Sequence, residues 1–179
     1  MKGAVLMFTI LFVATLIAVI IYWLIYRPLP KINATVRVRG LRGKVEVIWD
    51  RWGIPHIYAE NEEGLFFAQG YVHAQDRLWQ MEAHRRLASG TLAEIVGEMA
   101  LEVDRFARII GFRRAAQADL ALLDEQTLRY LEAYSQGVNA FIETHCSRLP
   151  LEFTLLRHKP LPWSPLDTAP GPALGGPRA

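Results

Sequence analysis

The sequence predicts an α+β chain in which an N-terminal transmembrane helix leads into a mainly helical segment that begins with a few β-strands. Three observations carry this reading. An uncharged apolar run fills positions 4–26, apolar and polar residues alternate between Val36 and Trp49, and from Asn61 onward apolar residues recur at three- and four-residue intervals. The resulting division is an anchor over 1–27, a linker with a first strand over 28–44, one globular segment over 45–168 and a Pro/Gly-rich tail over 169–179.

The run AVLMFTILFVATLIAVIIYWLIY has only Thr9 and Thr15 as conspicuous polar interruptions. As a helix it covers about 30 Å, the thickness of a bilayer's hydrocarbon core, with every backbone group bonded internally. Tyr22, Trp23 and Tyr26 fall at one interface with Arg27 and Lys31 just beyond, an aromatic belt followed by charge. A cleaved signal peptide has a shorter apolar core, roughly 7–15 residues, and ends in small residues. Here YWLIYRPLPK follows, so an uncleaved anchor touching membrane lipid through residues 4–26 is expected. Arg27, Lys31, Arg37, Arg39, Arg42 and Lys44 follow the span and only Lys2 precedes it. That bias alone holds the next domain in the cytoplasm, although long domains translocate regardless of such charge.

Pro28 and Pro30 end the helix, each lacking an N–H. Val36 and Val38, a turn at Gly40-Leu41-Arg42-Gly43, and Val45, Val47 and Trp49 then read as a hairpin. A second turn at Asp50-Arg51-Trp52-Gly53 precedes an extended strand over 54–59, where Pro55 suits an edge or entry position. Phe67, Tyr71, Ala74, Leu78 and Met81 form a helical seam, capped by Asn61 and ended by Gly90. Leu65, Ala68, Val72 and Trp79 widen that face. Leu92, Ile95 and Val96 mark a short helix before Gly97, and Val103, Phe106, Ile109 and Ile110 another up to Gly111. Asp124 caps a longer helix carrying Leu128, Leu131, Tyr134, Val138, Phe141 and Ile142. Gly137 inside it costs about 1 kcal/mol relative to Ala, which points to a close neighbour there. From Leu149, prolines at 150, 160, 162 and 165 predict loop with one short apolar run.

About 150 residues outside the anchor suffice for one domain. Twenty basic against 18 acidic residues give +2, too little to draw the chain to nucleic acid. The single Cys146 excludes an internal disulfide and reads as a small buried or half-buried thiol; adjacent His145 points about 100° away on a helix, a poor base for it. Asp50, His56 and Ser89 could be assembled into a hydrolytic triad, but nothing in their spacing brings them together. Asp76-Arg77 and Arg85-Arg86 read as helix ion pairs or a solvated face rather than an anion site. His73 and His84 lie roughly 16 Å apart on a helix, too far to share a metal. Trp49, Trp52, Trp79 and Trp163, spread over several elements, read as core anchors rather than a ligand cage.

The stretch from Val45 to Glu98 contains Asp50-Arg51-x-Gly53-x-Pro55-His56-Ile57, then Gly70-Tyr71-Val72-x-Ala74-Gln75-Asp76-Arg77-Leu78-x-Gln80-Met81-Glu82, Arg85-Arg86 and Gly90-Thr91-Leu92-Ala93-Glu94-Ile95. Tyr134-x-x-Gly137-Val138-Asn139-Ala140, Pro150-x-Glu152-Phe153 and Pro162-Trp163-x-Pro165-x-Asp167 follow in order. In these motifs the chain resembles the start of the mature penicillin acylase family, over roughly residues 45–168. The resemblance implies an N-terminal-nucleophile hydrolase of linear amides, such as β-lactam side chains and acyl-homoserine lactones. Its precursor cleaves itself so that a serine heads a large second chain and uses its own α-amine as base. The implied fold stacks two antiparallel sheets between helices in four layers, αββα, of which this chain supplies an incomplete part. The implied side of the membrane is extracytoplasmic, and the implied partners are the large catalytic chain and a small N-acyl substrate.

After Asp167 the family continues helically, whereas Thr168 to Ala179 is rich in proline and glycine. A truncated or frameshifted gene product, or a fragment, is therefore expected. The family's serine nucleophile, autocleavage site and calcium-binding glutamate would lie outside it, so no catalytic, cofactor-binding or metal-ligating residue is assigned to this chain and calcium is expected only in a complete member. Alone, the chain is expected to be inactive and, lacking its partner, to expose the apolar face of residues 65–81. The alternative is a non-enzymatic, single-span remnant that serves as a scaffold or partner-binding domain.

Overall fold

The computed structural model describes residues 2–29 and 33–169. Pro30 and Lys31, read as part of the membrane exit, and the tail from 170 onward lie outside the described residues. Helix α1 spans Lys2–Ile21 and continues as a π-helical turn, Tyr22–Tyr26, closed by the Arg27 N–H on the Tyr22 carbonyl at 2.9 Å. It is long and apolar enough to cross a membrane and no part of its window is buried inside the protein. Thr9 and Thr15 donate their hydroxyls back to the carbonyls of Val5 and Leu11, at 3.0 and 2.8 Å, so the polar interruptions are satisfied within the helix.

Strands β1 (Val45–Trp49) and β2 (Pro55–Ala59) pair antiparallel with Trp49 opposite Pro55. The predicted hairpin between Val36 and Trp49 is thus corrected. Asp50 decides the pairing: its Oδ1 accepts the N–H groups of Trp52 and Ile54 at 2.8 and 2.9 Å and closes the turn after β1. Val36 and Val38 instead lie unpaired over the cleft they share with Val45, Val47 and Phe67. Pro55 is the first residue of β2, where a missing N–H does least harm.

Helix α2 runs Glu62–Ser89 as expected, with Asn61 Oδ1 accepting the Gly64 N–H at 2.7 Å and Gly90 at φ 65° ending it. A side chain at Gly90 would be strained twice over, because its Cβ would also fall 2.7 Å from the Asp104 carbonyl oxygen. Arg77, with φ −139°, breaks the helical geometry and kinks α2, which the regular seam did not foretell. Helices α3 (Ala93–Val96), α4 (Leu101–Ile110), α5 (Phe112–Leu120) and α6 (Glu125–His145) follow, α6 capped by Asp124. The proline-rich stretch is not all loop. Helix α7 (Leu151–Leu155) begins after Pro150 and α8 (Pro165–Thr168) takes Pro165 as its first residue, the position where the ring is preorganised for helix.

The core forms where α2 lies along α6. Phe67, Ala74 and Leu78 meet Val138 and Phe141, and Phe153 and Trp163 close the end, all buried. Two glycines allow this approach: a Cβ on Gly137 would lie 1.9 Å from the Phe67 carbonyl oxygen, and one on Gly70 would lie 2.0 Å from that of Tyr134. The close neighbour anticipated at Gly137 is therefore α2, reciprocated by Gly70. The expectation that residues 65–81 present an open apolar face is overturned, since α6, α7 and the Trp163 segment cover most of it; Leu65 alone among the named residues is classed as exposed.

Apolar surface appears elsewhere. The positions that mark α4, Val103, Phe106, Ile109 and Ile110, all point outward, Ile109 being 78% exposed, while Asp104 and Ala107 face the domain. Trp52 is 74% exposed and so is not the core anchor it was read as, and Cys146 is exposed rather than the buried or half-buried thiol expected.

Gly137→Ala gains about 1 kcal/mol of helix propensity but must separate two backbones, and overpacking of this kind costs about 1–3 kcal/mol or more. Net destabilisation of about 2 kcal/mol is expected in denaturant unfolding of the detergent-solubilised chain. An unchanged or raised midpoint contradicts the close approach.

Candidate functional site

The polar side chains that the fold draws together lie under the C-terminal half of α2. Glu82, 1% exposed, accepts from Arg86 Nε at 2.7 Å, from His158 Nε2 at 2.9 Å and from Arg85. Arg85 and Arg86 stand three and four residues further on, the helical spacing that places them beside Glu82. Arg86 continues to Glu94 at 2.8 Å and to the Thr91 carbonyl at 3.2 Å, fastening the turn after α2. Arg85 donates to the carbonyls of Leu161 and Pro162, lies 5.0 Å from the Trp163 ring centroid and pairs with Asp167 at 3.7 Å.

Asp167 in turn caps α8, accepting from the Ser164 N–H and hydroxyl, and receives Arg113 of α5 at 3.3 Å. Asn139 of α6 holds the same segment by both ends of its amide: Oδ1 accepts the Trp163 N–H at 2.7 Å and Nδ2 donates to the Trp163 carbonyl at 2.8 Å. Asp104 accepts the N–H groups of Leu92 and Ala93 at 2.9 and 2.8 Å and ties α4 to the start of α3. Every motif from Glu82 to Asp167 is thus locked to another element.

Burial alone would raise the Glu82 carboxyl, yet the Arg86 hydrogen bond, the Arg85 charge and the His158 bond together hold it below the ordinary carboxylate range. Burial works against the Arg86 guanidinium as well, and its bonds to Glu82 and Glu94 outweigh that and raise it. Glu82 is therefore ionised at neutral pH with its acceptors engaged, the state of a structural keystone rather than of a general acid. A cavity of about 330 Å³ beside it is lined by His84, Arg85, Ser89, Phe112, Trp163 and Asp167 among others.

The residues weighed as a triad separate. Asp50 and His56 approach to 3.5 Å across the hairpin, but Ser89 lies at the last residue of the 28-residue α2 and accepts from Arg113 at 3.1 Å. Asp76 and Arg77 are exposed, whereas Arg85 and Arg86 are ion-paired as expected. His73 bonds the Tyr134 hydroxyl at 3.0 Å, and His84 borders the cavity. Trp79 packs edge-on against Phe153 in the same core cluster as Trp163, while Trp49 ends β1 and Trp52 lies in the turn after it. Among the described residues no three His, Cys, Asp or Glu side chains form a metal-holding group. Sequence reasoning missed His158 as the third partner of Glu82: it stands 76 positions away and only the fold brings it near.

Glu82→Gln leaves two buried guanidiniums short of a counter-charge and is expected to cost about 3–5 kcal/mol, read by denaturant unfolding. Because the folded carboxyl is depressed, its contribution is fully present above the unfolded value of about 4.3 and is lost as pH falls through the lower folded value. Acid unfolding of the unaltered chain should therefore steepen below about pH 4, and Glu82→Gln should flatten that limb. An identical acid profile in both proteins contradicts this assignment.

The geometry has close counterparts. Residues 44–170 match the Penicillin amidase family. The chain is 42% identical over 137 residues to Penicillin acylase 2 proenzyme of Pseudomonas sp. strain SE83, covering 76% of this chain and 18% of that protein. It is 38% identical to the Acyl-homoserine lactone acylase QuiP of Pseudomonas aeruginosa, covering 79% and 17%, and 36% identical to Penicillin G acylase of Escherichia coli, covering 70% and 15%. A solved thermostable Penicillin G acylase from Alcaligenes faecalis superposes with a TM-score of 0.65 at 31% identity, over 71% of this chain and 69% of that one. The chain thus spans less than a fifth of the length of these curated relatives. With the family match running from the residue before β1 to two residues past α8, this chain belongs to the penicillin amidase family.

Proposed function

We propose that this chain is the N-terminal segment of a membrane-anchored acylase that hydrolyses the C–N bond of linear amides and is made as a self-cleaving precursor. The observation that carries it is the match of residues 44–170 to the Penicillin amidase family, together with relatives named for penicillins and acyl-homoserine lactones. In this reading residues 4–26 hold it in the cell membrane as a single pass, with the domain on the extracytoplasmic side, and a larger chain completes the four-layer αββα fold and brings the serine. A free α-amine with a reference pKa near 8 is partly neutral at working pH and can take the serine proton, while preset hydrogen-bond donors hold the oxyanion. The substrates are small N-acyl compounds, and calcium belongs to the completed enzyme.

Two observations support a separate large chain. The alignment covers 69% of the solved acylase chain but only 15–18% of the curated relatives, so that solved chain is several-fold shorter than they are. The outward apolar face of α4 also gives such a chain a surface to cover, with Met99 84% exposed beside it. The second reading, a non-enzymatic membrane scaffold, is supported by the α2–α6 core, whose apolar residues pack against one another within this chain.

Sequencing the locus beyond the Asp167 codon in all three frames and expressing the longest product separates the two. The enzyme reading expects self-cleavage visible by mass and release of free amine from N-acyl-homoserine lactones or β-lactam amides, with none from the 179-residue chain alone. A frame that ends without a serine cleavage site, or hydrolysis by this chain alone, overturns it. In the cleaving product, Phe106→Glu with Ile109→Glu should change the stability of this chain by no more than about 0.5 kcal/mol, as for exposed sites, yet abolish co-purification of the two chains.

A further inference from the structure

The π-helical turn after α1 and the two residues beyond it are tucked against the domain. Leu24, Arg27 and Pro28 are half-buried there, and between them and the segment 146–159 lies a cavity of about 310 Å³. Buried Phe153 and the ring of Trp23 give it apolar wall, and Arg27, Arg148, Arg157 and Lys159 give it cations. Among the described residues, no Asp or Glu lines it. In the ion pairs between described residues, none of these four cations takes part. Arg27 lies 4.0 Å from the Trp23 ring centroid.

Two bland explanations fail on magnitude and position. The carboxyl end of α6 borders the cavity, but a helix end carries roughly half a unit of negative charge against four full cations. Topology-setting charge acts within roughly 15–20 residues of a span, which accounts for Arg27 and not for Arg148, Arg157 and Lys159, more than a hundred positions on. The turn after α7 supplies a second, independent mark. Arg157 is the one non-glycine residue with positive φ among those described, at 50°, and the His158 N–H closes that turn on the Phe153 carbonyl at 3.0 Å. Glycine would take this conformation without strain, yet an arginine stands there, facing the cavity.

We propose that this cavity binds the phosphate of an anionic phospholipid headgroup, with the acyl chains running alongside α1. The proposal rests on the anchor reading of that helix, whose Tyr22, Trp23 and Tyr26 put the cavity at headgroup level. Basic pockets at a membrane face take such headgroups, and a lipid, unlike a free phosphate, also satisfies the apolar wall.

The full chain, purified in mild detergent from membranes holding phosphatidylcholine and phosphatidylglycerol in equal amounts, should retain phosphatidylglycerol selectively by mass spectrometry. Arg148→Gln, Arg157→Gln and Lys159→Gln together should weaken its retention about a hundredfold. Arg148→Lys with Arg157→Lys should preserve it, and so should Arg37→Gln, Arg39→Gln and Arg42→Gln as the control set with unchanged charge loss. Equal loss in the control set, or no selectivity in the unaltered chain, overturns the site. Displacement by free glycerophosphate at the same concentration as the lipid assigns the phosphate to a soluble source and overturns the lipid. Extraction of the chain from membranes by alkaline carbonate overturns the anchor reading, and retention with an unselective lipid profile overturns the site alone.

Discussion

The distance between two backbones governs this fold. The Phe67 and Tyr134 carbonyls occupy the space in which side chains at Gly137 and Gly70 would stand, so α2 and α6 meet closer than side chains elsewhere permit. That approach lets Tyr71 reach Phe141 edge-on at 5.5 Å and lets Ala74 and Val138 bury completely. A wider separation would leave a seam of voids, each costing contacts on every atom that lines it. The two helices run along each other for much of their length, and the hairpin, α4 and α8 are placed by what remains of their surfaces.

Glu82 does for the far end of α2 what the glycines do for its middle. A carboxylate almost wholly removed from water would be among the least favourable groups in the chain if it stood alone. With two guanidiniums and an imidazole bonded to it, it instead ties α2 to the loop at His158 and, through Arg85 and Asp167, to α8 and α5. The ion pairs are not the source of net stability, since desolvation of three charges offsets most of their attraction. Their contribution is direction. Apolar packing of Phe153 and Trp163 tolerates sliding, and hydrogen-bonded charge does not.

The elements that could be read from sequence are those whose signals are local. The Asn61 and Asp124 caps, the Gly90 stop and the three-and-four spacing of α2 and α6 depend only on neighbours within a turn or two, and each lies where those signals put it. The pairing of β1 was misread because both flanking turns contain glycine, and the Asp50 side chain, not the glycines, chooses between them. The apolar residues of α4 were recognised as a face without any means of knowing which way it turned, because Asp104 is drawn inward by the open N–H groups of Leu92 and Ala93. Arg85 and Arg86 were read as helix ion pairs or a solvated face with no partner named; Glu82 stands three and four residues before them, a local signal that went unused, whereas His158 could be placed only by the fold. Motif density gave the family, and no spacing rule on its own would have found it.

A closed core beside an open helix face divides the molecule into two kinds of surface. On the α2–α6 side the large apolar residues pack against one another within the chain. On the α4 side a row of large apolar residues is held outward by a buried aspartate, an arrangement that hydrophobic burial within this chain alone disfavours. Orientation against that driving force is explained if the face is satisfied by something the chain meets after folding. The ionisable groups are spent within the chain. Glu82, Arg85, Arg86, Asp104 and Asp167 are all committed to structure, each bonded across elements, so they fix how the helices and loops sit against one another.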